Sequence, residues 1–138
     1  WYYTINVCNF TISRCGEDNS QLTEKMKRIK GQALFLRALS YYNLVGYYQN
    51  PPLITDYATY SSLNGLYGAN STYDAVLDQV EKDFLEAMEL LPSRDEGSEW
   101  SGGRATCGAA AGYYARALMM RQKYSDALTV LKDIIGKK

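Results

Sequence analysis

The stretch Gly31–Ile54, GQALFLRALSYYNLVGYYQNPPLI, constrains the fold of this chain more than any other. Leu34, Leu36, Ala38, Leu39, Tyr41, Leu44, Val45 and Tyr48 cover most of the circumference of a helix. Arg37, Ser40 and Asn43 leave only a thin polar stripe. A helix that apolar is packed on several sides, which makes it the central one. Pro51 and Pro52 bring no amide hydrogens and stop it.

Four more helices are predicted around it. The first, about Trp1–Arg14, carries Tyr2, Ile5, Asn9 and Ile12 at helical intervals. The loop Gly16–Ser20 supplies an N-cap for the central helix, about Leu22–Tyr48. The third, about Thr72–Leu91, opens on Ser71-x-x-Asp74, the spacing of a capping box. Its buried stripe is Val76, Val80, Phe84, Met88 and Leu91, and Asp78, Glu81, Glu86 and Glu89 read as its solvated face. The fourth spans about Ala105–Gln122 and the fifth about Ser125–Ile135, with Leu128, Leu131, Ile134 and Ile135 facing inward. No segment alternates with a period of two, so the class is all-α. The 138 residues make one helical domain, with a long irregular connector at about 49–71 and a flexible one at about 93–104.

The last two helices carry a further pattern. Gly108, Ala109, Ala111, Gly112 and Ala115 weaken an isolated helix, and they make sense where another backbone comes close. The order Ala115, Leu118, Tyr124, Ala127, Leu131 matches the small, large, corner-aromatic, small, large pattern of a tetratricopeptide repeat, in degenerate form.

Charge and chemistry exclude several functions. Lysine plus arginine equals aspartate plus glutamate at 15 each, which gives no electrostatic reason to expect nucleic acid as a partner. Lys25, Lys27, Arg28 and Lys30 read as a solvated face at a helix start. There is no histidine, and the three cysteines lack paired ligand spacing, so neither a metal site nor a cofactor is expected. Cys8 and Cys15, two helical turns apart, are separated by ~10 Å, too far for a disulfide. Cys107 is expected as a small buried thiol. Without histidine, nucleophilic catalysis lacks its usual base. Asp95, Glu96 and Glu99 have no apolar pocket beyond Trp100 to raise a carboxylate pKa. No catalytic residue is nominated, and the chain is read as a non-enzyme.

Tyrosine, at 13 residues, is the unusual component. Tyr47, Tyr48, Tyr57, Tyr60 and Tyr67 fall at or inside the 49–71 connector. Aromatic faces with polar tips suit stacking on sugar rings, but they also suit folding a loop back onto helices. The candidate ligand-binding residues are Trp1, Tyr57, Tyr60, Tyr67 and Trp100, and for each of them both readings stay open.

Four blocks in order carry a resemblance. They are Tyr2-x-x-Ile5-x-x-x-Asn9; Phe35-Leu36-Arg37-Ala38 with Tyr41-Tyr42-x-Leu44-Val45 and Pro52-Leu53; Val76 through Asp83-Phe84 to Ala87 and Leu91-Pro92; and Gly103-Arg104-Ala105-Thr106 with Ala109-Ala110 and Ala115-Arg116. Together they resemble the helical, tetratricopeptide-like core of the SusD/RagB family of nutrient-capture lipoproteins. The resemblance implies non-enzymatic capture of an oligosaccharide or other nutrient at the outer membrane, as the SusD-like partner of a TonB-dependent (SusC-like) transporter. This stretch would be the scaffold of that machinery for polysaccharide utilisation. The implied location is the cell surface, with membrane association only through a lipid anchor that the chain lacks. The chain has neither an initiator Met nor a lipobox-like Cys near its start, and it is expected to be a soluble piece of a larger protein. Asn50-Pro51 and Asn70 depart from the family pattern at the edges of the connector. The alternative is a tetratricopeptide-like adaptor that grips a partner protein in a concave groove.

Overall fold

The computed structural model describes residues 1–61, 68–93 and 103–136, the side chains of Tyr60 and Ser61 excepted. The described residues form α1 (Tyr2–Cys15), a 3-10 turn (Asn19–Gln21), α2 (Glu24–Tyr48), α3 (Tyr57–Ser61), α4 (Tyr73–Leu90), α5 (Cys107–Met120) and α6 (Tyr124–Gly136). No strand occurs among them, and the all-α, tetratricopeptide-like class stands. α1, α2, α4, α5 and α6 pack each against the next in chain order, as stacked helical pairs do.

Threonine starts three of these helices. Thr23, Thr72 and Thr106 each accept, through Oγ1, the backbone N–H three residues on, at 3.4, 3.2 and 3.2 Å. Two sequence expectations are corrected here. Asp18 in the Gly16–Ser20 loop caps the 3-10 turn instead of α2. Ser71 is not the cap of α4, because its hydroxyl is turned back to accept the Leu53 amide at 3.1 Å.

The core is a continuous set of fully buried side chains from α1 (Ile5), α2 (Leu34, Ala38, Tyr41, Val45), α4 (Val76, Leu77, Val80, Phe84, Ala87) and α5 (Ala110, Ala117). α2 lies between α1 and α4 and touches α5 at its edge, the position its apolar circumference requires. The close backbone approach is at Gly31. A Cβ there would sit 3.0 Å from Leu91 Cγ and 3.1 Å from Leu90 Cβ, at the end of α4. Gly108 and Gly112, expected to mark such an approach, do not. Gly112 faces open space, and a Cβ on Gly108 would meet only Thr106 Oγ1 at 4.0 Å. Alanine does the close packing between α5 and α6, where Ala115, Leu118 and Ala127 form a small second core with Val130 and Leu131.

α6 differs from its predicted orientation. Leu131 and Ile134 are half-buried, but Leu128 and Ile135 are exposed. α5 is the neighbour α6 packs on among the described residues, so only one narrow stripe of α6 is covered. Tyr124 at the corner is exposed too. All three cysteines are free; Cys8 is buried, while Cys107, at the first residue of α5, is only half-buried.

The connector after the double proline is more regular than predicted, because it includes α3. Its first residues are held by side chains from the bundle. Tyr2 Oη donates to Pro52 O at 2.9 Å, and Asn9 Nδ2 to Ile54 O at 2.9 Å. The Tyr41 hydroxyl accepts from Ile54 N at 2.7 Å and donates to Ile54 O at 2.9 Å. Ser71 N–H donates to Pro51 O at 3.3 Å, closing the connector at its base. The second connector, about 93–104, lies largely outside the described residues.

Candidate functional site

Two clefts flank α1, one at each end. The first, of about 490 Å³, is lined by Trp1, Tyr2, Leu44, Tyr48, Asn50, Pro51, Pro52 and Asn70. Trp1 and Tyr48 are 54% and 69% exposed, so both rings are available to a ligand. The end of α2 shapes this cleft. Gln49 adopts φ 60°, ψ −58°, and Asn50 N–H donates to Tyr48 O at 2.7 Å. That is the strained form of the γ-turn, rare for a residue with a side chain. It turns the chain sharply between the exposed Tyr48 ring and the exposed Asn50 amide. The cleft offers aromatic faces, proline rings and two amides that both donate and accept, and it contains no carboxylate or amine side chain. Such a surface can hold a polyhydroxylated ligand by stacking and hydrogen bonding but has no acid–base pair for chemistry.

The second cleft, of about 700 Å³, lies where α1, α2 and α4 meet the start of α3. Its floor is a buried polar network. Arg37 forms a two-pronged pair with Asp83, Nε to Oδ2 at 2.7 Å and Nη2 to Oδ1 at 2.8 Å. Arg37 Nη1 also donates to Asn9 Oδ1 at 2.9 Å and Thr55 O at 3.2 Å, and Gln79 Nε2 donates to Asp83 Oδ1 at 2.7 Å. Burial pushes the Asp83 carboxyl up, against the pull of the Arg37 and Gln79 hydrogen bonds. Beside it, buried Lys30 donates to Gly16 O at 3.0 Å and Asn19 Oδ1 at 2.8 Å, and pairs with Glu86 at 3.0 Å. Burial opposes the charge on Glu86, yet hydrogen bonds from Asn19 and Lys30 outweigh it and hold the carboxyl below its ordinary value. Lys30 is therefore not part of a solvated basic face, because its position on α2 points between α1 and α4. Burial pushes the Cys8 thiol, near Arg37, up to about 11, which leaves it protonated and unreactive at neutral pH.

The predicted ligand residues do not converge. Trp1 opens the first cleft and Tyr57 lines the second, at the other end of α1. Tyr57 also meets Phe10 edge to face, 5.0 Å between ring centres at 61°, so the loop does fold back onto a helix there. The Tyr60 side chain, Tyr67 and Trp100 lie outside the described residues. Sequence reasoning did not nominate Tyr48, Asn50 and Asn70 as site residues. The signal was present in the two asparagines, which bracket the connector at the positions where it departs from the related pattern. The Arg37–Asp83 pair was also missed, although an arginine in so apolar a stretch of α2 requires a buried partner.

Comparison with known proteins identifies the family and the fold. Residues 1–119 match the SusD-like family model described as starch-binding and associating with the outer membrane. A SusD-like carbohydrate-binding protein of Bacteroides fragilis is similar at 27% identity and TM-score 0.81, over 96% of this chain and 25% of its own. A laminarin-binding SusD-like protein is similar at 28% identity and TM-score 0.81, over 98% of this chain and 28% of its own. Surface glycan-binding protein A of Bacteroides uniformis, at 23% identity and TM-score 0.76 over 95% of this chain and 29% of its own, shares the fold. No curated protein sequence matches significantly. The chain thus spans only about a quarter of the length of the first two relatives. These relatives are named as binders of carbohydrate, not as catalysts, in line with the non-enzymatic reading. Among the described residues, no helix is long and apolar enough to cross a membrane.

Proposed function

The chain belongs to the SusD-like family, and from that premise we propose that it is the helical scaffold of a glycan-capture protein at the outer membrane. The captured nutrient is an oligosaccharide, handed to a TonB-dependent, SusC-like transporter, and a lipid anchor outside this chain holds the parent protein to the cell surface. The observation that carries the reading is the Trp1–Tyr48 cleft with its flanking Asn50 and Asn70 amides. Its side chains are aromatic, aliphatic and amide, without a charged side chain, which suits a sugar ring face and its hydroxyls. Tyr60, Tyr67 and Trp100 belong to the same proposal as further contacts contributed from the connectors, and Tyr57 as a separate contact at the second cleft. About three-quarters of each similar protein's length lies outside the part matched here, so the scaffold supplies part of a site and the rest of the parent supplies the remainder.

Titration of the 138-residue chain with laminari-oligosaccharides and other soluble glycans, followed by NMR, tests this proposal. Weak binding, on the order of millimolar (about −4 kcal/mol), is expected, with shifts at the Trp1 indole and at the Asn50 and Asn70 amides. Trp1→Ala should abolish it without changing the helical circular dichroism. Glycan shifts confined to other residues, or none at all, would reject the cleft. Micromolar affinity for this chain alone would reject its role as a partial scaffold.

A further inference from the structure

The Trp1–Tyr48 cleft turns on one joint in the backbone. On one side of that joint α2 is fixed. Leu44, one turn before Tyr48, is buried in the core, and Gln49 N–H still donates to Val45 O at 3.0 Å. On the other side the chain has little freedom. Asn50 precedes a proline, which restricts it to extended backbone, and Pro51 and Pro52 each have a fixed φ. Pro51 is buried and its carbonyl accepts from Ser71 N–H at 3.3 Å, while Pro52 O accepts from the Tyr2 hydroxyl at 2.9 Å. The change of direction from helix to connector is therefore concentrated at Gln49.

Gln49 makes that change in a conformation unsuited to its residue type. At φ 60° and ψ −58° its Cβ crowds the backbone, a cost that glycine escapes. The Gln49 side chain is exposed and forms no hydrogen bond with a described residue, so none offsets the cost. What the turn does produce is a fixed relation between its two neighbours. Tyr48 and Asn50 are joined by the 2.7 Å bond from Asn50 N–H to Tyr48 O, and both line the cleft. Relaxing Gln49 to a helical or extended conformation breaks that bond and moves the Asn50 amide relative to the Tyr48 ring.

We propose that Gln49 is the positioning residue of the cleft, its strained turn being the state that binds glycan. The inference rests on the glycan reading of the cleft. Gln49 is not among the cleft's lining residues and acts through its neighbours. The Tyr48 ring and the Asn50 amide meet the same sugar only while the turn is closed. Affinity then follows the preference of residue 49 for that turn, because the apparent dissociation constant rises as the competent fraction falls. A residue at ease with positive φ raises that fraction, and a β-branched one lowers it.

Gln49→Gly, Gln49→Ala and Gln49→Val in the 138-residue chain test the proposal. Each is compared with wild type by NMR titration with laminari-oligosaccharides and by urea unfolding without glycan. Gln49→Gly should raise the unfolding midpoint and bind at least as tightly as wild type. Gln49→Ala, which keeps the Cβ and removes the amide, should bind as wild type does. Gln49→Val should keep its helical circular dichroism, shift the Asn50 amide resonance and bind about tenfold more weakly. An unraised midpoint for Gln49→Gly overturns the proposal, because the turn then stores no strain. Weakened binding by Gln49→Gly or Gln49→Ala overturns it too, since the Gln49 amide would then be a contact. So does a Gln49→Val variant that binds as wild type does although its Asn50 amide has moved. If Gln49→Val does not fold, the glycine and alanine variants decide. Failure of the glycan reading looks different: Trp1→Ala then binds as wild type does, whereas loss of binding in Trp1→Ala with no weakening in a folded Gln49→Val rejects the role of Gln49 alone.

Discussion

Among the described residues, Arg37 and Arg121 each bond carboxylates of α4, and they do opposite kinds of work. Arg37 is buried where α1, α2 and α4 meet, with every partner fixed by a different element: Asp83 of α4, Asn9 of α1 and Thr55 of the connector. Arg121, just past α5, reaches across to the outer face of α4. There it bonds Asp78, meets Glu81 at 3.1 Å and lies 3.6 Å from Asp74, while Lys123 joins Glu81 at 3.0 Å. The interior pair is worth little over an apolar replacement, but breaking half of it is costly, since an ion is left without water or a counter-ion. The surface group gains modest Coulomb energy that solvent and salt remove. Position, not ion-pair count, decides what each contributes.

The largest expected effect breaks the interior member. Asp83→Ala should cost about 3–5 kcal/mol in urea unfolding, because Arg37 is stranded. Joint replacement by Arg37→Met and Asp83→Leu should recover most of that loss. If the single variant costs no more than a surface substitution, the contrast fails. A smaller effect tests the half-buried Lys30–Glu86 pair, which stands between the two extremes. The Glu86 carboxyl in the folded chain is held below its ordinary 4.5. Its contribution is therefore present above that value and lost as pH falls through the lower folded value. Thermal unfolding of Glu86→Gln should then fall less between neutral pH and pH of about 3.5 than that of wild type. An identical acid dependence would remove Glu86 from the account. The smallest effect belongs to Arg121→Ala, expected to cost about 0.5–1 kcal/mol at low ionic strength. That difference should vanish in concentrated salt, where screening acts over ~3 Å, and persistence there would mean that packing, not charge, holds Arg121.

The same contrast separates what was legible in the sequence from what was not. α2 announced its central place through its apolar circumference, and α4 through Val76, Val80 and Phe84, because burial imposes a period on the chain. The tetratricopeptide-like spacing of Ala115, Leu118, Ala127 and Leu131 carried the pairing of α5 and α6 as well. Lys30 was misread because neighbouring lysines on a helix point in different directions, and only the α1–α4 junction shows which one turns inward. Gly108 and Gly112 were misread for a related reason: a glycine marks a place where a backbone can approach, while the actual approach at Gly31 depends on where the end of α4 lands. Leu128 and Ile135 follow a helical period without a covering partner among the described residues. The candidate site was the least legible part. Trp1 and Tyr48 lie far apart along the chain and meet only because α1 and α2 run side by side.

The hydrogen bonds that hold Pro52, Ile54 and Thr55 to the bundle, and Ser71 to Pro51, have a consequence for variation within the family. The two ends of the excursion are stapled together before it leaves the helices. Added residues beyond such a closure raise the entropic cost only slowly, ~0.6 kcal/mol for each doubling in length. The excursion between those ties can therefore lengthen or change its side chains without re-engineering the frame beneath it.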